Sequence, residues 1–253
     1  MIHGAEIRVL TTPQELFAAA AEEVVSLANE AVSARGRFTI ALSGGSTPKS
    51  LYNLLATNAR TALPWEKMFF FWSDERHVPP TDPESNYRMA NEAMLSKVPV
   101  PTANVFRPAT ENADAEAVAA EYEATLKKFF QLSSGQFPRF DLILLGMGPD
   151  GHTASLFPGT AGLHEKSRIV IANWVEKLKT HRLSFTFPVL NAAASVTFLV
   201  SGTDKAAVLK GVLEESVPGA AYPASLVNPA HGKLIWFLDR AAASGLSVGN
   251  ENG

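Results

Sequence analysis

One stretch, from Asp141 to Pro158, constrains the fold of this chain more than any other segment does. It reads DLILLGMGPDGHTASLFP. Phe140 and the residues from Leu142 to Leu145 form a continuous apolar run, which is typical of a central parallel strand covered on both faces. A glycine-rich loop follows, and ligands of open α/β sheets bind where such loops leave the carboxyl ends of strands. The stretch therefore predicts an α/β fold with a functional loop after this strand.

Strand-like and helix-like segments alternate along the rest of the chain. Further strands are predicted at Ile7–Leu10, Phe38–Leu42, Met68–Trp72, Ile169–Ala172, Leu183–Phe187, Val196–Val200 and Leu234–Leu238. Helices are predicted after the capping-box pattern at Thr12, from Pro48 with Thr47 as its cap, from Ser85 or Asn86, from Ala113 and from Thr203. The alternation predicts a single domain, residues 1–253, built as a three-layer α/β/α sandwich with a mostly parallel sheet. The glycine-rich tail, Ser244 to Gly253, is expected to fray.

Composition limits the partners that the chain can have. With a formal net charge of −3, it lacks a global basic field, and we do not expect nucleic acid as its main partner. The absence of cysteine excludes disulfides and thiol catalysis and fits a reducing cytosol. The N-terminus lacks a signal-peptide pattern, and no window approaches the ~20 apolar residues of a membrane span. We therefore predict a cytoplasmic protein without a membrane partner.

The segment from Ser43 to Pro48, SGGSTP, joins a predicted strand to a predicted helix. Gly44 and Gly45 allow a nest of backbone N–H groups, the hydroxyls of Ser46 and Thr47 add donors, and a helix N-terminus favours an anion. Taken alone, this sequence is equally consistent with a tight turn that has a Ser/Thr cap and binds no anion. The position of the turn directly after an apolar strand favours an anion-binding site.

Asp150 and His152 lie in the loop after the central strand. A lone histidine is more often structural, but this one shares a sheet edge with the anion-binding turn and has a carboxylate two residues away. We predict that His152 is functional and that Asp150 orients its ring. Gly146 to Gly151 matches G-x-G-x-x-G, but the loop lies beyond mid-chain and Asp150 would repel a pyrophosphate, which excludes a dinucleotide fingerprint.

A charged, polar loop, Ser73 to His77, is predicted after the strand that ends at Trp72. Asp74, Glu75 and Arg76 come directly after this strand, so at least one of them should face the pocket, although a solvated cluster is the usual explanation for such charges. His77 has weaker support. With no H-x-x-x-H helix and no cysteine, we predict no metal site.

Two isolated cations, Arg182 and Lys205, lie at positions that indicate a possible role in binding an anion. Arg182 opens a predicted strand, and Lys205 lies in the first turn of a predicted helix. A cation at a helix N-terminus opposes the helix dipole. A bound anion would explain the placement of Lys205.

Three motifs occur in order: ALSGGSTP at Ala41–Pro48, WSDERHVP at Trp72–Pro79, and LGMGPDGHTASLFPG at Leu145–Gly159. Together they resemble the 6-phosphogluconolactonase family, which is related to the glucosamine-6-phosphate deaminases. The resemblance covers nearly the whole chain and implies a Rossmann-like α/β/α sandwich that binds sugar phosphate. In the deaminases the loop reads G-x-D-G-H-I-A-F-N-E-P, and its glutamate serves proton transfers. Phe157 occupies that position here and cannot transfer protons, which favours the lactonase.

The resemblance implies an enzyme that hydrolyses 6-phospho-D-glucono-1,5-lactone to 6-phosphogluconate in the pentose phosphate pathway, without a cofactor. His152 would activate water as a general base, and Asp150 would orient it. The oxyanion donor stays open between loop amides around Gly148 and the guanidinium of Arg76.

The resemblance also implies a substrate site for the sugar phosphate lactone. The phosphate would lie on Gly44 to Thr47, with Arg182 and Lys205 as counter-charges and Asp74 as a further substrate contact. A glucosamine-6-phosphate deaminase-like enzyme and a non-catalytic sugar-phosphate sensor remain the alternatives. The oligomeric state stays open between monomer and homodimer.

Overall fold

A sheet of six parallel strands forms the centre of the computed structural model, which describes residues 4–214 and 222–247. Its strand order is β1-β9-β8-β5-β2-β3. The strands in chain order are β1 (Ala5–Leu10), β2 (Phe38–Leu42), β3 (Met68–Trp72), β4 (Asp74–Arg76), β5 (Leu142–Leu145), β6 (Val170–Val175), β7 (Thr180–Phe185), β8 (Ser195–Val200) and β9 (Lys233–Asp239). The α-helices are α1 (Pro13–Arg35), α2 (Ser46–Thr57), α3 (Asn86–Ala93), α4 (Ala115–Phe130), α5 (Phe187–Ala192) and α6 (Ala206–Leu213).

Helices cover both faces of this sheet, which confirms the predicted α/β/α sandwich. One buried cluster holds residues of α4, α5 and α6, and the other holds residues of α1, α2 and α3. Side chains of β5 alternate between them, because successive residues of a strand point to opposite faces. Ile143 and Leu145 pack in the first cluster, and Leu142 and Leu144 pack in the second. The continuous apolar run is therefore explained by burial on both faces.

Three strands form a separate antiparallel sheet in the order β4-β7-β6. The sequence analysis was wrong here, because it treated Asp74 to Arg76 as loop and gave the strands at Ile169 and Leu183 no sheet of their own. Ser73 directs the chain out of the parallel sheet: its N–H donates to the Leu42 carbonyl at 2.9 Å, and its own carbonyl accepts from the Phe185 N–H at 2.8 Å. The following residues pair with β7 instead.

Two predicted helix starts agree with the structure, at Thr12 and at Ser85, which caps α3, whereas those predicted at Pro48, Ala113 and Thr203 differ. Thr12 forms the predicted capping box with Glu15. Helix α2 begins at Ser46 with Gly45 as its N-cap, so Thr47 is not the cap. Gly45 takes this place because its φ of 105° is strained for a residue with a side chain. Thr203 to Lys205 form a 3-10 turn before α6, where a continuous α-helix was predicted.

The predicted tail, from Ser244 onward, is packed at its beginning. Leu246 is 2% exposed, and the N–H and hydroxyl of Ser247 donate to the carboxylate of Glu214. Burial of Leu246 therefore holds this segment against the core, although the high glycine content of the tail predicted fraying. The rest of the predicted tail, 248–253, lies outside the described residues. No helix in the described part of the chain has the length and apolar character needed to cross a membrane.

Candidate active site

A cleft of about 410 Å³ opens at the carboxyl edge of the parallel sheet, between the loops after β2, β5 and β8 and the small antiparallel sheet. Most of the predicted site residues line it together: Gly44, Gly45, Ser46, Thr47, Asp74, Arg76, Gly148, His152, Arg182 and Lys205. Asp150 does not line this cleft and lies behind His152. Segments far apart in sequence thus meet at one place because parallel strands end on the same edge.

The loop after β5 holds the imidazole of His152 against its own backbone. The Gly148 N–H donates to the His152 carbonyl at 2.9 Å, and the Gly151 N–H donates to the Gly148 carbonyl at 3.0 Å. A Cβ added at Gly148 would lie 2.0 Å from Cε1 of the ring, so a side chain there would displace the imidazole. Gly151 has a φ of 72°, which a residue with a side chain rarely adopts. The glycines of this loop therefore set the position of His152.

Asp150 orients the imidazole from behind. Its Oδ1 lies 2.5 Å from His152 Nδ1. Partial burial favours the neutral acid, but hydrogen bonds from Lys177 and His152 outweigh it and lower the pKa of Asp150 to about 2. An ionised carboxylate accepts a hydrogen bond from the N–H of Nδ1, which keeps the proton on Nδ1 and leaves the lone pair of Nε2 free.

Burial keeps His152 neutral. It lowers the pKa of the imidazole below its ordinary value of 6.5, although the hydrogen bond to Asp150 opposes this effect. The ring of Phe157 stacks on that of His152, with 4.0 Å between their centroids. A neutral imidazole with a free Nε2, packed on an aromatic ring, can accept a proton in this cleft.

Lys177 lies beside this pair and was missed by the sequence analysis. It follows β6 in the hairpin that leads to β7, lines the cleft and hydrogen-bonds Asp150 Oδ2. Its Nζ lies 4.6 Å from the centroid of the Phe157 ring. No local motif marks a lysine in a hairpin as part of a site, and only the pairing of β6 with β7 brings it here.

The cleft is strongly cationic. Among the described residues that line it are four cationic side chains, those of Arg76, Lys177, Arg182 and Lys205, and one carboxylate, that of Asp74. Arg76 and Arg182 are opposite each other across β4 and β7. Burial and the nearby Arg76 guanidinium lower the pKa of Arg182. Cations held together in this way attract an anionic ligand.

The glycine turn after β2 fits closely against α3. A Cβ at Gly44 would lie 1.9 Å from Oδ1 of Asn86. The Asn86 side-chain amide in turn donates to the Asp74 carbonyl at 3.0 Å. Asn86 thereby links the turn to the small antiparallel sheet, a role that sequence reasoning missed when it treated this residue only as a possible helix start.

The acidic residues of β4 have separate surroundings. Asp74 lines the cleft and accepts a hydrogen bond from the Ser155 hydroxyl at 2.8 Å. Glu75 is buried and faces the N-terminus of α3, where it accepts from the Asn86 and Tyr87 N–H groups, both at 2.7 Å. Burial raises the pKa of Glu75 to about 7 even though these donors favour its charged form.

Arg76 and His77 also make contacts away from the cleft. Nη1 of Arg76 donates to the carbonyl of Glu84 at 3.0 Å and to its carboxylate at 3.2 Å. His77 lies away from the cleft, with Nε2 2.8 Å from the Asn112 carbonyl oxygen. Residues 4–214 and 222–247 contain no group of three or more His, Cys, Asp or Glu side chains arranged to hold a metal ion.

The fold and the site together define an α/β/α sandwich protein with a cationic cleft and an aspartate–histidine pair at the carboxyl edge of its sheet. The chain belongs to the glucosamine-6-phosphate isomerase/6-phosphogluconolactonase family, whose model matches residues 11–236.

Two curated relatives match nearly the whole chain. A 6-phosphogluconolactonase of Nostoc sp. is 42% identical and covers 96% of this chain and 98% of its own length. One of Synechocystis sp. is 46% identical and covers 95% and 98%. A solved 6-phosphogluconolactonase from Trypanosoma brucei, 32% identical, superposes with a TM-score of 0.85 over 96% of this chain and 99% of that one.

Proposed function

We propose that the protein is a 6-phosphogluconolactonase, a hydrolase that opens 6-phospho-D-glucono-1,5-lactone to 6-phosphogluconate in the pentose phosphate pathway. The observation that carries the proposal is the contact of 2.5 Å between Nδ1 of His152 and Asp150 at a cationic cleft, where burial lowers the pKa of the imidazole. A lactone that carries a phosphate needs both features, a base for water and cations for the anion. The relatives named 6-phosphogluconolactonase support the same substrate.

The hydrolysis follows from this arrangement. Nε2 of His152 takes a proton from water as the water oxygen attacks the carbonyl carbon C1. The tetrahedral intermediate collapses, the bond from C1 to the ring oxygen breaks, and the imidazolium returns its proton to that oxygen. Asp150 stabilises the imidazolium while it exists, so the catalytic roles proposed for His152 and Asp150 depend on each other.

The oxyanion of the intermediate needs a donor near C1. The Gly148 N–H is already used by the His152 carbonyl, which argues against this amide. Arg76 lines the cleft and engages only its Nη1 with Glu84 among the described residues, so its other guanidinium N–H groups can donate. We assign the oxyanion to Arg76.

The phosphate is placed on the turn from Gly44 to Thr47, at the N-terminus of α2. Arg182 and Lys205 line the same cleft and supply charge-assisted hydrogen bonds. Asp74 is placed against hydroxyl groups of the sugar, because a carboxylate accepts hydrogen bonds but repels phosphate. Neither the phosphate site nor the base requires a metal or an organic cofactor in this proposal.

Phe157 distinguishes the proposed lactonase from a glucosamine-6-phosphate deaminase. Its ring stacks on His152, where the deaminase pattern has a glutamate. The experiment that tests both is a coupled assay on freshly generated lactone, beside an ammonia-release assay on glucosamine 6-phosphate. We expect lactone turnover above the spontaneous rate and no ammonia. Ammonia release would favour the deaminase, and binding of the lactone without turnover would favour a sugar-phosphate sensor.

Three further points belong to the proposal. We place the enzyme in the cytoplasm, which the absence of cysteine supports. We propose that residues 1–253 fold as one domain and that the enzyme acts on a small molecule without nucleic acid. The oligomeric state, monomer or homodimer, can be measured by light scattering on the full chain.

A further inference from the structure

Lys177 closes a ring of contacts around the proposed base. Its ammonium group hydrogen-bonds Asp150 Oδ2, while Asp150 Oδ1 bonds Nδ1 of His152. His152 stacks on Phe157. The Lys177 ammonium also lies over the Phe157 ring, 4.6 Å from its centroid. Each of the four side chains therefore contacts two of the others.

These contacts join two segments that are distant in sequence. Asp150, His152 and Phe157 belong to the segment after β5, whereas Lys177 comes from the hairpin between β6 and β7 in the antiparallel sheet. With one oxygen of Asp150 bonded to lysine and the other to histidine, the carboxylate has a single orientation. Without the lysine, only Oδ1 of the carboxylate would be held, by Nδ1 and the backbone N–H of His152.

We propose, on the basis of the lactonase function proposed above, that Lys177 is a positioning residue, which fixes Asp150 and thereby the tautomer and orientation of His152. It acts through Asp150 and does not itself take part in the proton transfer. The Lys177 charge also opposes protonation of the nearby imidazole.

Other charges face His152 and set the background for this effect. Asp150 on its own loop and Asp74 on β4 raise the pKa of the imidazole, whereas burial and Lys177 lower it. Arg76, Arg182 and Lys205 line the same cleft. Replacing Lys177 leaves all of these in place.

The test compares Lys177→Met with Lys179→Met and Lys177→Arg. Lys179 lies in the same hairpin, is exposed and bonds Glu176. Its replacement therefore removes the same charge and leaves the contacts among Lys177, Asp150, His152 and Phe157 intact. Two readouts are used: the pH dependence of kcat/KM for the lactone, and the pKa of His152 in the free protein by ¹⁵N NMR of the imidazole, assigned with His152→Ala.

Loss of Lys177 is expected to raise the pKa of His152 and to move the acid limb of kcat/KM upward by about 0.5 pH unit, since a nearby cation disfavours the imidazolium. The plateau of kcat should fall as well. Lys179→Met should change neither readout, and Lys177→Arg should restore both.

Two results would overturn the proposal. A raised KM at every pH with an unmoved limb would make Lys177 a substrate contact, and a lower kcat with an unmoved His152 titration would make it merely structural. The NMR titration needs no turnover. If the wild type did not hydrolyse the lactone, the proposed function would fail while the effect of Lys177 on His152 could still be measured.

Discussion

At the scale of single residues, the chemistry proposed for His152 depends on groups that touch it rather than on the histidine alone. Burial makes the imidazole neutral, Asp150 selects its tautomer, and Phe157 covers one side of the ring. The backbone of Gly148 leaves room for the ring. Two predictions belong to this scale.

Replacing His152 by alanine is expected to lower kcat by about 10²–10⁴-fold, the usual contribution of a general base. KM should change little, because the turn proposed to bind the phosphate, Gly44 to Thr47, and the proposed base come from different loops. In the wild type, kcat/KM should fall as the pH drops through the pKa of His152, which lies below 6.5, because an imidazolium cannot accept a proton. Rates must be corrected for spontaneous opening of the lactone in alkali. Wild-type kcat in the variant after this correction would remove His152 from the mechanism.

Gly148→Ala should reduce kcat strongly, because the new methyl group would occupy the space of the imidazole. The matched control is Gly146→Ala in the same loop, where an added Cβ meets no atom within 4 Å. Steady-state kinetics on both variants, with circular dichroism to verify folding, decide the outcome. Equal activity of the two would show that the ring can move without loss of function.

At the scale of elements, the site is assembled from strand ends and from the helices and turns that follow them. The turn at Gly44 leads from β2 into α2, and Asn86 at the start of α3 fills the space beside it. Asp239 at the end of β9 holds the Ser201–Gly202 turn that precedes Lys205, through the Ser201 hydroxyl and the Gly202 N–H. The Gly44 turn and the turn before Lys205, which we propose bind the phosphate, are thus each held by a neighbouring element.

Gly44→Ala is expected to raise KM more than it lowers kcat, because its methyl group would collide with the Asn86 amide and displace the phosphate turn. Asn86→Ala removes that amide. We therefore expect the double variant to bind substrate better than the two separate effects predict, which a double-mutant cycle measures. Strict additivity of the two changes would show that the collision is not the cause.

Lys205→Ala tests the anion site from the side of α6. Loss of one charge-assisted contact of ~1.5–3 kcal/mol should weaken substrate binding by roughly tenfold or more. Lys210→Ala, on α6 directly after the 3-10 turn of Lys205 and outside the lining of the cleft, is the control. Calorimetric titration with 6-phosphogluconate measures the affinity. Unchanged affinity in Lys205→Ala would show that the phosphate binds elsewhere in the cleft.

At the scale of the whole molecule, the parallel sheet gathers its ligand-facing loops on one edge, and the antiparallel sheet adds cations from the side. Arg76 lies on β4, Arg182 on β7, and Lys177 in the hairpin before β7. These strands contribute charges to a cleft whose turn and base come from the parallel sheet. The active site thus requires both sheets.

Removal of metal ions should leave the activity unchanged, because the described residues hold no cluster suited to a metal and the proposed base acts on water directly. The measurement is lactonase activity after exhaustive chelation and dialysis, with a known zinc hydrolase treated in parallel. Activity that is lost and then restored only by an added metal would reveal a ligand set among residues assigned other roles.

A mostly parallel sheet was predictable from the sequence alone, as were the turn at Gly44 to Thr47 and the loop with Asp150 and His152. Apolar runs, glycines and caps act on neighbouring residues, so their effects are visible in a short window. The motif resemblance identified the same family that the comparisons show.

Which side chains share the cleft follows from the three-dimensional packing, which also changed several expectations. It placed Arg76 opposite Arg182 on an antiparallel sheet, brought Lys177 to Asp150 from 27 residues away, and packed Asn86 against Gly44. Such contacts depend on strand pairing between distant segments, and no local pattern encodes that pairing because its free energy comes from the assembled sheet and core.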